Sequence, residues 1–167
     1  MIHPFRTGKY RIHCSKEYHE IYKVLKGVVF DEFHELFTLC VILGYKFKNR
    51  VTRNRKRQEL FPSNVFEPSE YSAFNTLFIL ESKDDNYYLL KDGDRAKEFI
   101  QDYADGGMEI FLKSEVMKRF VTKKDDMFSL DFSENDRLPK QVMYYVYSLY
   151  QDFQKKRNSQ SSTQKER

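Results

Sequence analysis

The stretch from Asp31 to Gly44 constrains the fold more than any other. Phe33, Leu36, Phe37, Leu39, Cys40 and Leu43 recur in it at three- and four-residue spacing and cover more than half the circumference of a helix. A helix apolar over so much of its surface must be wrapped by other elements, so this segment is expected at the centre of the protein. Asp31 is expected to open the helix, and Gly44 to end it in the position past the last turn that glycine favours.

Other helices follow from the same period. Ser15 offers a capping oxygen, and Tyr18, Ile21, Tyr22, Leu25, Val28 and Val29 predict a helix over 16–28. Arg11-Ile12-His13 before it reads as a short strand or an extended lead-in. The apolar period disappears over 45–68, and Leu60 to Phe66 reads as a loop pinned by a few buried rings. Ser69 is expected to cap a helix carrying Tyr71, Phe74, Leu77 and Phe78. Asp92 or Asp94 caps the next, over 94–105, with Ala96, Phe99, Ile100 and Tyr103 inward. Gly106-Gly107 is read as its end and a sharp chain reversal, followed by a separate helix over 108–120. Residues 122–137 are acid-rich and read as irregular. Pro139 fits the first turn of a last helix, with Val142, Tyr145, Val146, Leu149, Tyr150 and Phe153 on one stripe.

The 15 Phe and 12 Tyr can build a core of ordinary strength in 167 residues, because each ring buries a large area. Six Gly and four Pro are too few for the many turns of a sandwich or barrel. The fold expected is therefore mainly α: a single compact domain of five or six helices over 1–154, with a long basic loop. A disordered basic tail over 155–167 follows from its Ser, Gln and Lys content. Two Cys cannot form a disulfide framework, the chain opens without the pattern of a signal peptide, and no apolar run approaches the ~18 residues of a membrane span. A cytoplasmic protein that makes no contact with membranes is expected.

Charge is unevenly distributed. Lys46, Lys48, Arg50, Arg53, Arg55, Lys56 and Arg57 place seven cations in twelve residues with no acid among them, although the net charge of the whole chain is only +4. Interleaved with Tyr45 and Phe47, these cations can neutralise phosphates while the rings stack on bases. The plainer reading is a loop that pairs with the chain's own acids, for instance around Asp125-Asp126. Like charges this dense repel one another, which favours an external anion: double-stranded DNA or the acidic face of another protein. Tyr144 and Tyr147 fall off the main stripe of the last helix and are candidates for an interface.

Signals for catalysis are weak. His13, Cys14, His19, His34 and Cys40 fit no standard zinc spacing, and Cys40 sits on an apolar helix face, where cysteine usually fills the core. Phe78-Ile79-Leu80-Glu81-Ser82-Lys83 carries the Glu-x-Lys fragment of metal-dependent nucleases. Such a site also needs an upstream acid, normally Asp, and no Asp lies between Glu32 and Glu81. There is no phosphate-binding glycine loop and no nucleophile elbow. No enzyme, metal or cofactor is expected, with a nuclease subunit using Glu81 and Lys83 as the competing reading.

The run Phe30-Asp31-Glu32-Phe33-His34-Glu35-Leu36-Phe37, followed by Leu43-Gly44-Tyr45-Lys46 and Asn49-Arg50, resembles the front half of a small bacterial family. Tyr103-Ala104-Asp105-Gly106-Gly107-Met108-Glu109-Ile110 is similar to its back half. The family is the DNA phosphorothioation-associated protein 4 group, found beside systems that place sulfur in the DNA backbone and restrict unmodified DNA. The resemblance covers about 15–115. It implies an accessory protein of phage defence, small and without a recognised catalytic motif, acting with larger ATPase or nuclease subunits. It supplies no catalytic residues. A further reading is a purely structural bridge between such subunits, without DNA contact, in which Tyr144 and Tyr147 matter more than the arginines.

Overall fold

The computed structural model describes residues 4–52, 55–82, 88–131 and 137–164. Among them the order is β1 (Arg11–Ser15), α1 (His19–Leu25), α2 (Phe33–Lys46), β2 (Arg57–Pro62), α3 (Pro68–Glu81), α4 (Tyr88–Lys91), α5 (Gly93–Lys113), β3 (Val121–Lys124), β4 (Met127–Leu130) and α6 (Leu138–Gln164). Short 3-10 turns at Pro4–Thr7, Lys16–Tyr18 and Ser63–Val65 link them. The chain is mainly helical, with six α-helices among the described residues, and it carries two antiparallel strand pairs besides. No helix among the described residues is long and apolar enough to cross a membrane.

Helix α2 is central, as its pattern requires, and buries Leu36, Phe37, Cys40, Val41 and Leu43. Its start is set by Glu32 rather than Asp31. The Glu32 side chain accepts from the backbone of Glu35, whose own carboxylate accepts from the N–H groups of Glu32 (3.0 Å) and Asp31 (2.9 Å). Helix α3 begins the same way: Glu67 and Glu70 form the reciprocal pair around Pro68, and Ser69 is not the cap. Asp92 does cap α5, accepting from the N–H groups of Asp94 and Arg95.

The glycines play a different part from the one their sequence context suggests. Gly106 and Gly107 neither end a helix nor reverse the chain. They lie inside α5, which runs unbroken for 21 residues where two helices are expected. Gly44 likewise lies inside α2. A Cβ on Gly107 would overlap the carbonyl oxygen of Cys40, and one on Gly44 would overlap that of Tyr103. A Cβ on Gly106 would overlap the carbonyl oxygen of Asn49. These three residues let α2, and the chain leaving it, press backbone to backbone against α5. Helix-breaking propensity loses here to the packing gained by close approach.

Three strands appear where loops or irregular chain are expected, and a fourth, β1, where a short strand or an extended lead-in is expected. β2 pairs antiparallel with β1, Ser15 opposite Arg57 and Arg11 opposite Pro62, so part of the 45–68 connection is ordered as a strand. The ladder shifts between Ile12 and His13, and the amide of His13 donates to the side chain of Gln101 instead (2.8 Å). β3 and β4 form a hairpin within the acid-rich 122–137 stretch. Its two central residues, Asp125 and Asp126, both have positive φ (48° and 62°), the requirement of a tight primed turn and one that Asp tolerates better than most residues.

An aromatic cluster fills the space between α2, α3 and the turns. Phe66 stands edge-on to Phe61 (5.2 Å) and Phe74 (5.0 Å), and Phe37 meets Phe61 at 5.6 Å. Helix α6 buries Val142 and meets α5 through Tyr145, whose ring lies 5.8 Å from that of Phe111. α6 continues beyond residue 154 as far as Gln164.

Candidate interaction surface on the basic segment

The described cations of 46–57 differ in pairing: Arg50, Arg55 and Arg57 are paired with acids, Arg55 and Arg57 half-buried and Arg50 still exposed. Lys46, Lys48 and Lys56 are exposed, and none of the three makes an ion pair within the described residues. Arg53 and Lys83 lie outside the described residues.

The partners of the arginines come from α5. Asp102, Asp105 and Glu109 are spaced at three and four, which puts all three carboxylates on one stripe of the helix. Arg50 donates from Nε to Oδ2 of Asp102 (3.2 Å), and its guanidinium lies over the rings of Phe99 (5.4 Å) and Tyr103 (5.8 Å). Arg57 donates to the other oxygen of Asp102 (2.9 Å) and sits 3.3 Å from Asp105. Arg55 donates to Glu109 (2.9 Å), to the Tyr18 hydroxyl (3.1 Å) and to Glu17. Asn49 binds the carbonyl of Gly106 (2.8 Å), and the amide of Val51 donates to the carbonyl of Asp102 (3.1 Å). The basic segment is therefore tied to α5 at Asn49, Arg50, Val51, Arg55 and Arg57, by backbone and side chain together.

Asp105 is the most enclosed of these acids. It accepts from the Ser15 amide (3.0 Å) and hydroxyl (2.7 Å), which anchors the end of β1 to α5. Burial raises its pKa, and the Ser15 bonds and Arg57 offset that only in part. Asp102 is raised for the same reason, against the pull of Arg50 and Arg57. At Glu109 burial also opposes ionisation, but the hydrogen bonds from Arg55 and Asn49 outweigh it, and its pKa falls below the usual range.

A second buried pair joins α2 to α3. Nδ1 of His34 lies 2.9 Å from Oε2 of Glu70, and the Thr38 hydroxyl donates to Oε1 (2.7 Å). Glu70 thus caps α3 and bonds α2 with one carboxylate. Cys14 and Cys40 are both buried, and desolvation pushes both thiols well above their ordinary range. Glu81, the last residue of α3, is half-buried close enough to Tyr45 and Tyr103 to raise their pKa values, together with the larger effect of burial. Among the described residues no three His, Cys, Asp or Glu side chains are arranged to hold a metal. Tyr144 and Tyr147 are 70% and 58% exposed on the outer face of α6, next to Met143 and Tyr150.

The acids paired with the arginines are not the Asp125-Asp126 pair considered from sequence. Their signal was the spacing of Asp102, Asp105 and Glu109, which forms one stripe only if the helix passes through Gly106-Gly107. The His34–Glu70 pair has no signal in sequence, since it depends on how α2 and α3 dock.

Fold and site together define a mainly α-helical protein in which an internal arginine–carboxylate network fixes a basic segment against the central helix pair. The chain matches the family of DNA sulphur modification system-associated protein 4 over residues 11–143 and belongs to that family. No curated protein and no solved structure matches it.

Proposed function

We propose that the protein is a non-catalytic accessory subunit of a bacterial anti-phage system of the DNA modification and restriction type. It acts in the cytoplasm beside larger ATPase or nuclease subunits, and segment 46–57 is its contact surface for a partner subunit or for double-stranded DNA. The observation that carries this reading is the division of that segment. Arg50, Arg55 and Arg57 hold it on α5, and Lys46, Lys48 and Lys56 are left outside as a cationic edge. Rigid presentation of unpaired charge suits recognition, because little order has to be gained on binding. Both thiols are buried, which supports a non-catalytic reading.

A salt series of duplex DNA binding tests the DNA arm, comparing wild type with Lys46→Glu/Lys48→Glu/Lys56→Glu. Direct phosphate contact gives a steep loss of affinity with salt that the variant lacks. If wild type does not bind even at low salt, the DNA arm fails, and the same variant is then tested for loss of co-purification with the subunits encoded beside it. Retained co-purification would overturn the reading. The arginines are unsuitable for this test, since replacing them unseats the segment itself. The exposed tyrosines of α6 favour a second contact, the bridging role: Tyr144→Ala/Tyr147→Ala would separate two subunits without affecting DNA.

A further inference from the structure

A groove lies between the C-terminal turn of α5 and the β3–β4 hairpin, about 460 Å3 in volume. Its floor is apolar, made by Leu112, Val121 and Phe128, with the Tyr18 ring stacked on Phe128 at 5.4 Å. Its lips are cationic: Lys113, Lys118 and Lys123. The one acid in the lining, Glu109, is already engaged by Arg55 and Asn49, so the lining as a whole is net positive. Lys118 and Lys123 do pair with Glu115 and Asp126, but those acids are 86% and 99% exposed. Such pairs are worth little and exchange readily for carboxylates brought by a partner.

We infer that this groove docks an acidic peptide segment of a partner protein, with one large apolar side chain in the groove and carboxylates on either side against the three lysines. The complementarity is specific in two ways. An apolar floor of this size matches a side chain rather than a main chain, and burying that side chain supplies the affinity. The lysine rim selects against basic and neutral sequences and speeds encounter with acidic ones. A DNA duplex satisfies the rim but not the floor, because its apolar surfaces are stacked inside. The chain's own basic C-terminal segment is excluded by charge. The inference rests on the reading of this protein as a partner-binding subunit, yet none of the residues lining the groove belongs to 46–57, so the two can fail separately.

The test is fluorescence anisotropy of the full chain with a labelled peptide of about ten residues, Asp and Glu around a central Phe. Controls are the same peptide with Ser for Phe, and a single-stranded oligonucleotide of equal charge. Acidic-peptide binding should weaken about tenfold with the Ser peptide, and about tenfold again with Lys113→Glu/Lys118→Glu/Lys123→Glu. Val121→Thr, which keeps shape and strand propensity, should weaken the Phe peptide but not the Ser peptide. Lys46→Glu/Lys48→Glu should bind as wild type. No binding of the Phe peptide, indifference to Phe against Ser, or tighter binding of the oligonucleotide would each overturn the inference. Failure here with intact co-purification through 46–57 would leave the proposed function standing.

Discussion

Nη2 of Arg57 donates to Oδ1 of Asp102 across 2.9 Å, joining the first residue of β2 to a carboxylate in the middle of α5. The other oxygen of Asp102 takes Arg50, so one acid holds the basic segment at two points seven residues apart. Losing Asp102 would take from Arg50 its carboxylate partner and leave Arg57 with Asp105 alone, at a partly buried site. Asp102→Ala is expected to destabilise by about 3 kcal/mol, the usual scale for removing one partner of a buried pair. Lys46→Glu/Lys48→Glu/Lys56→Glu, all at exposed positions, should stay within about 0.5 kcal/mol of wild type per site. Urea denaturation of both variants checks the contrast.

The crossing of α2 and α5 depends on absent side chains. Gly107→Ala places a methyl group on the carbonyl of Cys40, with backbone on both sides and no flexible atom to yield. A cost of about 3 kcal/mol is expected. Gly27 serves as the control: its φ of 89° strains any other residue, but nothing lies near its missing Cβ. Gly27→Ala should cost only about 1–2 kcal/mol. Equal effects from the two would contradict a packing role for Gly107.

Glu70 caps α3 while bonding His34 and Thr38 on α2. Glu70→Gln keeps the shape but turns two acceptor oxygens into one, leaving at least one donor unmet. About 2 kcal/mol of stability should be lost, as for a charged hydrogen bond at a buried site. Thr38→Val in the Glu70→Gln background should then cost less than it does alone, because the two act as one network.

Asp105 gives a pH dependence of defined sign. Its pKa is raised in the folded state, so between the unfolded value, near 3.8, and the folded value the native protein holds a proton that the unfolded chain has released. The contribution is fully present below 3.8 and is lost as pH rises through the folded value. Asp105→Asn cannot ionise, and its stability relative to wild type should therefore increase with pH across that window. A relative decrease would mean that Arg57 and Ser15 stabilise the carboxylate more than burial penalises it. Glu109 runs the other way: its lowered pKa supplies stability above the unfolded value that is lost as pH falls through the folded one.

Helix identity was legible wherever an apolar stripe was continuous, as in α2, α3 and α6, because period follows directly from burial of one face. Reading failed where a local rule was overridden by a tertiary contact. Gly44, Gly106 and Gly107 carry a breaker signal, yet each serves a backbone approach that only docked helices reveal. The β3–β4 hairpin was hidden because its strands are short and largely exposed, leaving no clear alternation, and its Asp-Asp turn looks like any acidic loop. The basic run was visible as charge, but the pairing of Arg50, Arg55 and Arg57 beside unpaired Lys46, Lys48 and Lys56 was not. That depends on the α5 carboxylates, whose spacing was concealed by reading a chain reversal at Gly106-Gly107.

The central claim is that the arginines of the basic segment are part of the fold. A double-mutant cycle between Arg55 and Glu109, measured by equilibrium urea denaturation of Arg55→Ala, Glu109→Ala and the double variant, tests it most directly. Their 2.9 Å bond at a largely enclosed site should give a coupling energy of about 1–2 kcal/mol. A coupling near zero would mean that Arg55 is free to serve an external partner, and would contradict the account.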